Sequence, residues 1–227
     1  MTAFSNPLLT AACFGMLGLC VGWIARIGLR RLELLLTQLE DAEVHLPAYL
    51  TQHHVLTVCI GLIWLACAVH WPSPHSAAAW AIFATLTLVL ACVDWHTTWL
   101  PDVLTQPLLW LGLLASLLGW IDTSLDQAVL GAMVGYLSLW SVATLFERMT
   151  GKVAMGGGDF KLLAALGAWL GPLALLPVLV VASSTGALVG WVLQRGHKLN
   201  SEGYLPFGPF LGAAGYGVAW LGTDLLP

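Results

Sequence analysis

The sequence predicts an all-α, polytopic integral membrane protein with about eight transmembrane helices. Three observations carry that expectation. Of 227 residues only 9% are charged and 59% are hydrophobic, with a mean hydropathy of +0.85. A soluble domain is about 25% charged, so too little polar surface is left to coat a water-soluble globule. Apolar runs near the length needed to cross a bilayer recur along the chain. Finally, all eight Lys and Arg residues fall on one side of the layout those runs imply.

The runs lie at 7–28, 54–72, 77–94, 103–121, 126–146, 160–173, 175–194 and 206–223. No basic residue precedes the first run and several follow it, so it reads as a retained, reverse-oriented helix and not as a cleaved signal peptide. Beyond it Leu32, Leu35, Leu36 and Leu39 share one helical face, while Arg31, Glu33, Gln38, Glu40 and Asp41 fill the rest. Either the first helix continues or a second lies on the membrane surface. No linker divides the chain, so 1–227 is expected to form a single transmembrane domain with a short cytoplasmic connection at 30–53.

Leu162 to Leu193 is one apolar stretch, interrupted by Gly171-Pro172 and Pro177. Splitting it there gives a short sixth helix, partly re-entrant in one reading. The split also keeps the cations together: Arg26, Arg30 and Arg31 after the first span, Arg148, Lys152 and Lys161 around the fifth-to-sixth connection, Arg195 and Lys198 after the seventh. The positive-inside rule then puts these connections in the cytoplasm, with both termini and the loops near Ser73, Asp122 and Gly171 outside. Pairs of the form GxxxG at Gly18/Gly22, Gly131/Gly135, Gly167/Gly171, Gly186/Gly190 and Gly208/Gly212 are expected to serve intramolecular helix packing.

Several function classes are disfavoured. A net charge of −4 and the absence of a basic run argue against nucleic acid as a partner. The five cysteines, at positions 13, 20, 59, 67 and 92, form no CxxC pair, which argues against a disulfide framework or zinc knuckle. There is no HExxH, His53-His54 have no ligand spacing to another group, and Ser183-Ser184 lack a GxSxG setting. No metal is expected.

In so uncharged a chain, carboxylates at membrane depth stand out, because placing an ionisable group there costs free energy and usually marks function. Asp94 ends the run from Ala77 to Val93, and Asp159 follows Gly156-Gly157-Gly158 at the start of another run. By the topology above both lie at the cytoplasmic ends of their spans and share one depth. Two carboxylates brought close do not both ionise easily, so one acts as acid and the other as base. An aspartic protease needs this pairing: one carboxylate activates water while the other protonates or hydrogen-bonds the scissile carbonyl. Glycines at 156, 157 and 158 let an extended peptide backbone lie near Asp159. The same residues also fit a flexible linker followed by an N-cap aspartate, with Asp94 in headgroup water.

Asp102, in Leu100-Pro101-Asp102, suits a first-turn anion better than a catalyst, with a supporting role in the site open. Lys161 reads as a snorkelling lysine, or as a cation that biases Asp159 or binds a substrate carboxylate. His96 reads as an interfacial histidine.

Three motifs in order carry a resemblance: Asp94-Trp95-His96-Thr97-Thr98-Trp99-Leu100-Pro101-Asp102 with Leu104-Thr105 and Pro107 to Trp110, then Gly156-Gly157-Gly158-Asp159-Phe160-Lys161-Leu162, then Pro206-Phe207-Gly208-Pro209-Phe210. Together they resemble the prepilin peptidases, the type IV leader peptidases of the GxGD aspartic class, from about Leu88 to the C-terminus. The resemblance implies the GxGD aspartic protease fold in a bacterial inner-membrane endopeptidase. Its substrates would be type IV prepilins or type II secretion pseudopilins, cut at the cytoplasmic face after the glycine that ends a short basic leader. It places the catalytic pair on Asp94 and Asp159 and matches Asp102 to a second, non-catalytic aspartate.

Larger family members carry two CxxC pairs in a longer cytoplasmic segment and also N-methylate the new terminus. Here 30–53 holds no cysteine. The expectation is a short form without the zinc module, with S-adenosylmethionine as a cofactor only if methyl transfer accompanies cleavage. The main rival is a small transporter using the same two aspartates for protons or a cation.

Overall fold

The computed structural model describes residues 7–40, 54–151, 155–195 and 205–221. Side chains from 35 to 40 lie outside that description, as do Asp41, Glu43, Lys152, Lys198 and Glu202. The described residues are helical, with no strand. In order the helices are α1 (Pro7–Glu40), α2 (Val55–His70), α3 (Pro74–Thr97), α4 (Asp102–Leu117), α5 (Leu125–Thr150), α6 (Gly157–Leu170), α7 (Leu175–Arg195) and α8 (Gly208–Leu221). Each expected run is found as a helix. The first extends to Glu40, which settles the alternatives for that segment in favour of continuation. Among the described residues four helices, α1, α3, α5 and α7, are long and apolar enough to cross a membrane.

The chain forms two compact units, residues 1–85 and 86–227, with the boundary inside α3. In the first unit α1 and α2 pack through small residues. A Cβ on Gly18 would lie 2.6 Å from Trp64 Cβ, and one on Gly22 would lie 2.8 Å from Thr57 Cα. Trp64 stands beside Phe14, ring centres 6.1 Å apart, and its indole N–H donates to Thr85 Oγ1 at 3.0 Å. That bond satisfies the buried indole N–H, which would otherwise cost about 1–3 kcal/mol, on a hydroxyl that itself donates to the Ala81 carbonyl at 2.7 Å.

The second unit is built around α6. Every residue from Leu162 to Leu170 is buried, as expected of a helix that is apolar all round. It packs against α4, α5, α7 and α8. The closest approach is to α5, where the Cα of Gly131 faces the Gly167 carbonyl and the Cα of Gly167 faces the Gly131 carbonyl, leaving room for a Cβ on neither side. Gly135 lies against the Leu163 backbone in the same seam. The GxxxG spacing thus serves packing within the chain, as expected.

Opposite that seam, Trp169 fills the space left by Gly112 of α4 and donates its indole N–H to the Leu108 carbonyl at 2.8 Å. α5 starts at Ser124, whose N–H reaches Gln127 Oε1 at 3.4 Å, and ends at Gly151 with φ +68°. α6 stops at Gly171, φ +79°, followed by Pro172. The positive-φ glycine and the proline end the helix at the expected split.

Candidate active site

The second unit brings three chain segments together at the N-terminal end of α6. The first is the end of α3. Asp94 lies in its last turn and is 4% exposed. The turn that follows is held by Thr97, whose hydroxyl donates to the Val93 carbonyl at 2.8 Å, and by the Thr98 N–H on the Asp94 carbonyl at 2.8 Å. Thr98 itself adopts φ +52°. A β-branched residue in the left-handed region costs about 1–3 kcal/mol, and this one directs the chain from α3 into α4.

The second segment is the start of α6. Gly156 caps it with extended backbone, φ −70° and ψ 145°. Asp159 falls in the first turn, 8% exposed, with its N–H on the Gly156 carbonyl at 3.2 Å. An anion here meets the positive end of the helix dipole. The three glycines differ in their surroundings. A Cβ on Gly158 would lie 2.7 Å from Leu100 Cβ, so packing requires glycine there, while a Cβ on Gly156 or Gly157 would meet nothing within 4 Å.

The third segment opens α8. The Gly208 N–H donates to Asp94 Oδ2 at 2.9 Å. Leu100 also touches this segment: a Cβ on Gly208 would lie 3.3 Å from its Cδ1.

These segments enclose a cavity of about 420 Å³, lined by Asp94, Asp102, Asp159, Lys161 and all three glycines, with Thr98, Trp99, Leu100, Val103, Pro206 and Phe207 completing the wall. Asp94 and Asp159, 65 residues apart in sequence, face the same cavity. Lys161 does not turn towards Asp159. Its Nζ binds both oxygens of Asp102, at 2.6 and 2.8 Å, in a partly exposed ion pair that ties the start of α4 to the start of α6. Asp102 stands in the first turn of α4 with both carboxylate oxygens on Lys161. His96 is exposed and is not among the lining residues. Among the described residues no cluster of three His, Cys, Asp or Glu side chains is arranged to hold a metal ion.

Thr98, Leu100, Phe207 and Gly208 also border the site, with no site role evident from their place in the sequence. Gly208 was visible only as part of a motif and of a GxxxG pair. Thr98 carries no signal, because a left-handed residue is ordinarily announced by Gly or Asn.

Fold and site together define a class: a multi-pass helical membrane protein with two buried carboxylates, from different helices, facing one cavity. Residues 81–191 match the model of the type IV leader peptidase family. It is 46% identical over 158 residues to a prepilin leader peptidase/N-methyltransferase of Burkholderia pseudomallei, covering 70% of this chain and 50% of that protein. It is 50% identical over 155 residues to one of Aeromonas hydrophila, covering 65% and 52%, and 42% identical over 166 residues to one of Dickeya chrysanthemi, covering 72% and 58%. The chain spans about half the length of the curated relatives it matches. No solved structure matches it.

Proposed function

We propose that this chain is a membrane-embedded aspartic endopeptidase that removes the leader from type IV prepilins or type II secretion pseudopilins. The observation that carries the reading is the meeting of Asp94 and Asp159, both buried, on the wall of one cavity. In this mechanism one carboxylate takes a proton from water as the oxygen attacks the scissile carbonyl. The other, protonated, hydrogen-bonds the carbonyl oxygen, and the proton gained by the base then passes to the leaving amine. No covalent intermediate and no metal are needed. Gly156 and Gly157, whose Cα atoms face open space, leave room for a peptide backbone beside Asp159. Asp102, Lys161 and Gly158 shape that space without taking part in bond breaking. Peptidase relatives give the transporter reading no support.

The proposed setting is the bacterial inner membrane, with the site near the cytoplasmic face and both termini periplasmic. Cations at Arg148, Lys161 and Arg195 support that orientation. The substrate's apolar helix enters from the lipid, and its basic leader stays in the cytoplasm near the acidic residues that follow the first span. Because 30–53 holds no cysteine, the reading is of cleavage without methyl transfer and without S-adenosylmethionine.

The test is mass spectrometry of a prepilin incubated with the purified protein. A product shortened by its leader, ending the cut after the leader glycine, is expected. An intact substrate would sink the reading, and a methyl group on the new terminus would overturn the part that excludes methyl transfer. The role given to Asp102 has its own check. A half-exposed ion pair contributes about 0–1 kcal/mol, so Asp102→Asn keeps most of the cleavage rate and lowers thermal stability only slightly. Complete loss of cleavage in a folded variant would place Asp102 in the chemistry.

A further inference from the structure

The opening of α8 is arranged around Asp94 in a way that its role as a helix start does not require. The first N–H groups of a helix have no intrahelical partner. In α8 the Phe210 and Leu211 N–H groups both return to the Phe207 carbonyl, at 3.1 Å each, and Pro209 has no N–H. The remaining donor, Gly208, is directed at Asp94 Oδ2 across 114 residues of sequence. The helix dipole adds positive potential at the same point. Glycine is demanded there by the carboxylate itself, since a Cβ would lie 2.6 Å from Asp94 Oδ2 and 3.2 Å from its Cγ. One turn later in α8 the crowding is gone: a Cβ on Gly212 would lie 3.6 Å from Thr87, an ordinary contact.

We propose that Gly208 is a positioning residue for Asp94: its N–H holds Oδ2, its missing side chain leaves the carboxylate its place, and Oδ1 is the oxygen presented to the cavity. The inference rests on the reading of Asp94 as a catalytic carboxylate. Among the described residues the only hydrogen bond to the Asp94 side chain goes to Oδ2, so the two oxygens are not equivalent. A carboxylate free to rotate would exchange them. One fixed by a backbone donor keeps a single oxygen turned towards water, which is the pre-organisation that near-attack geometry requires.

The experiment uses the full chain with Gly208→Ala, Gly208→Ala combined with Leu100→Ala, and Gly212→Ala. Leader cleavage is followed for kcat and KM, and the Asp94 carboxyl band is followed by difference infrared spectroscopy, assigned by its loss in Asp94→Asn. Gly208→Ala is expected to lower kcat at least about tenfold with KM within about threefold, because it displaces a reacting group and not a binding contact. The Asp94 band moves, Leu100→Ala does not restore the rate, and Gly212→Ala behaves as the parent.

An unchanged band, or recovery in the double variant, overturns the proposal, the latter because relief at Leu100 would mean simple packing. A rise in KM at constant kcat also overturns it and makes Gly208 a substrate contact. Should the peptidase reading itself fail, with Asp94→Asn cleaving at the parental rate, the infrared band still decides whether Gly208 holds Asp94. Should Gly208→Ala not fold, amide exchange replaces it. Release of the Gly208 N–H in Asp94→Ala is expected to speed its exchange by at least about tenfold, and unaltered exchange overturns the proposal.

Discussion

Asp94→Asn and Asp159→Asn each reduce cleavage of a co-expressed prepilin to background while the variant proteins still accumulate in the membrane. Removing a general acid or base typically costs about 10²–10⁴ in rate. Here each change removes half of a device that works as a unit, so the double variant is expected to be no worse than either single one. Asparagine is nearly the same size as aspartate, which separates lost chemistry from lost packing at two positions that are 4% and 8% exposed. Processed prepilin at the parental level in either variant would remove that residue from the mechanism.

Gly167→Leu is the change expected to damage the fold most. The Cα of Gly167 faces the Gly131 carbonyl, and a Cβ would also lie 3.0 Å from the Ala132 nitrogen. These are backbone atoms of another helix and are not able to swing aside. α5 must move off α6, and overpacking of this kind costs about 1–3 kcal/mol even where side chains can adjust. A loss above that range is expected, read as a large fall in the detergent thermal midpoint. Gly217→Leu is the control, because a Cβ there meets nothing within 4 Å. A midpoint for Gly167→Leu equal to that of the control would show that the seam between α5 and α6 does not hold the second unit together.

Much of this arrangement was legible from residues alone, for identifiable physical reasons. Helices that meet lipid must be apolar along their length, so α3, α5 and α7 declare themselves through hydropathy. The break at Gly171-Pro172 was readable because each residue has a local stereochemical effect. Asp94 and Asp159 were readable as a pair because charge is so scarce around them.

What was not legible depends on three-dimensional proximity without a local signature. Asp102 and Lys161 are 59 residues apart, and nothing in their spacing says that Lys161 turns to Asp102 and not to nearby Asp159. Three adjacent glycines look alike in sequence, yet Leu100 makes only Gly158 a packing requirement. Gly208 is legible as part of a motif and of a GxxxG pair, but not as a partner of Asp94, because the carboxylate that dictates it lies 114 positions earlier.

The brevity of α6 bears on how water reaches the reaction. The helix has 14 residues, which at 1.5 Å per residue is about 21 Å, against a hydrocarbon layer of about 30 Å. In the proposed orientation the N-terminal end of α6 faces the cytoplasm, and a shortfall there would fall above the cavity. Lipid tails there must either shorten locally or give way to a funnel of solvent. Hydrolysis at a recessed site would then depend on the thickness of the host bilayer, and the surrounding membrane would act as part of the enzyme's entrance.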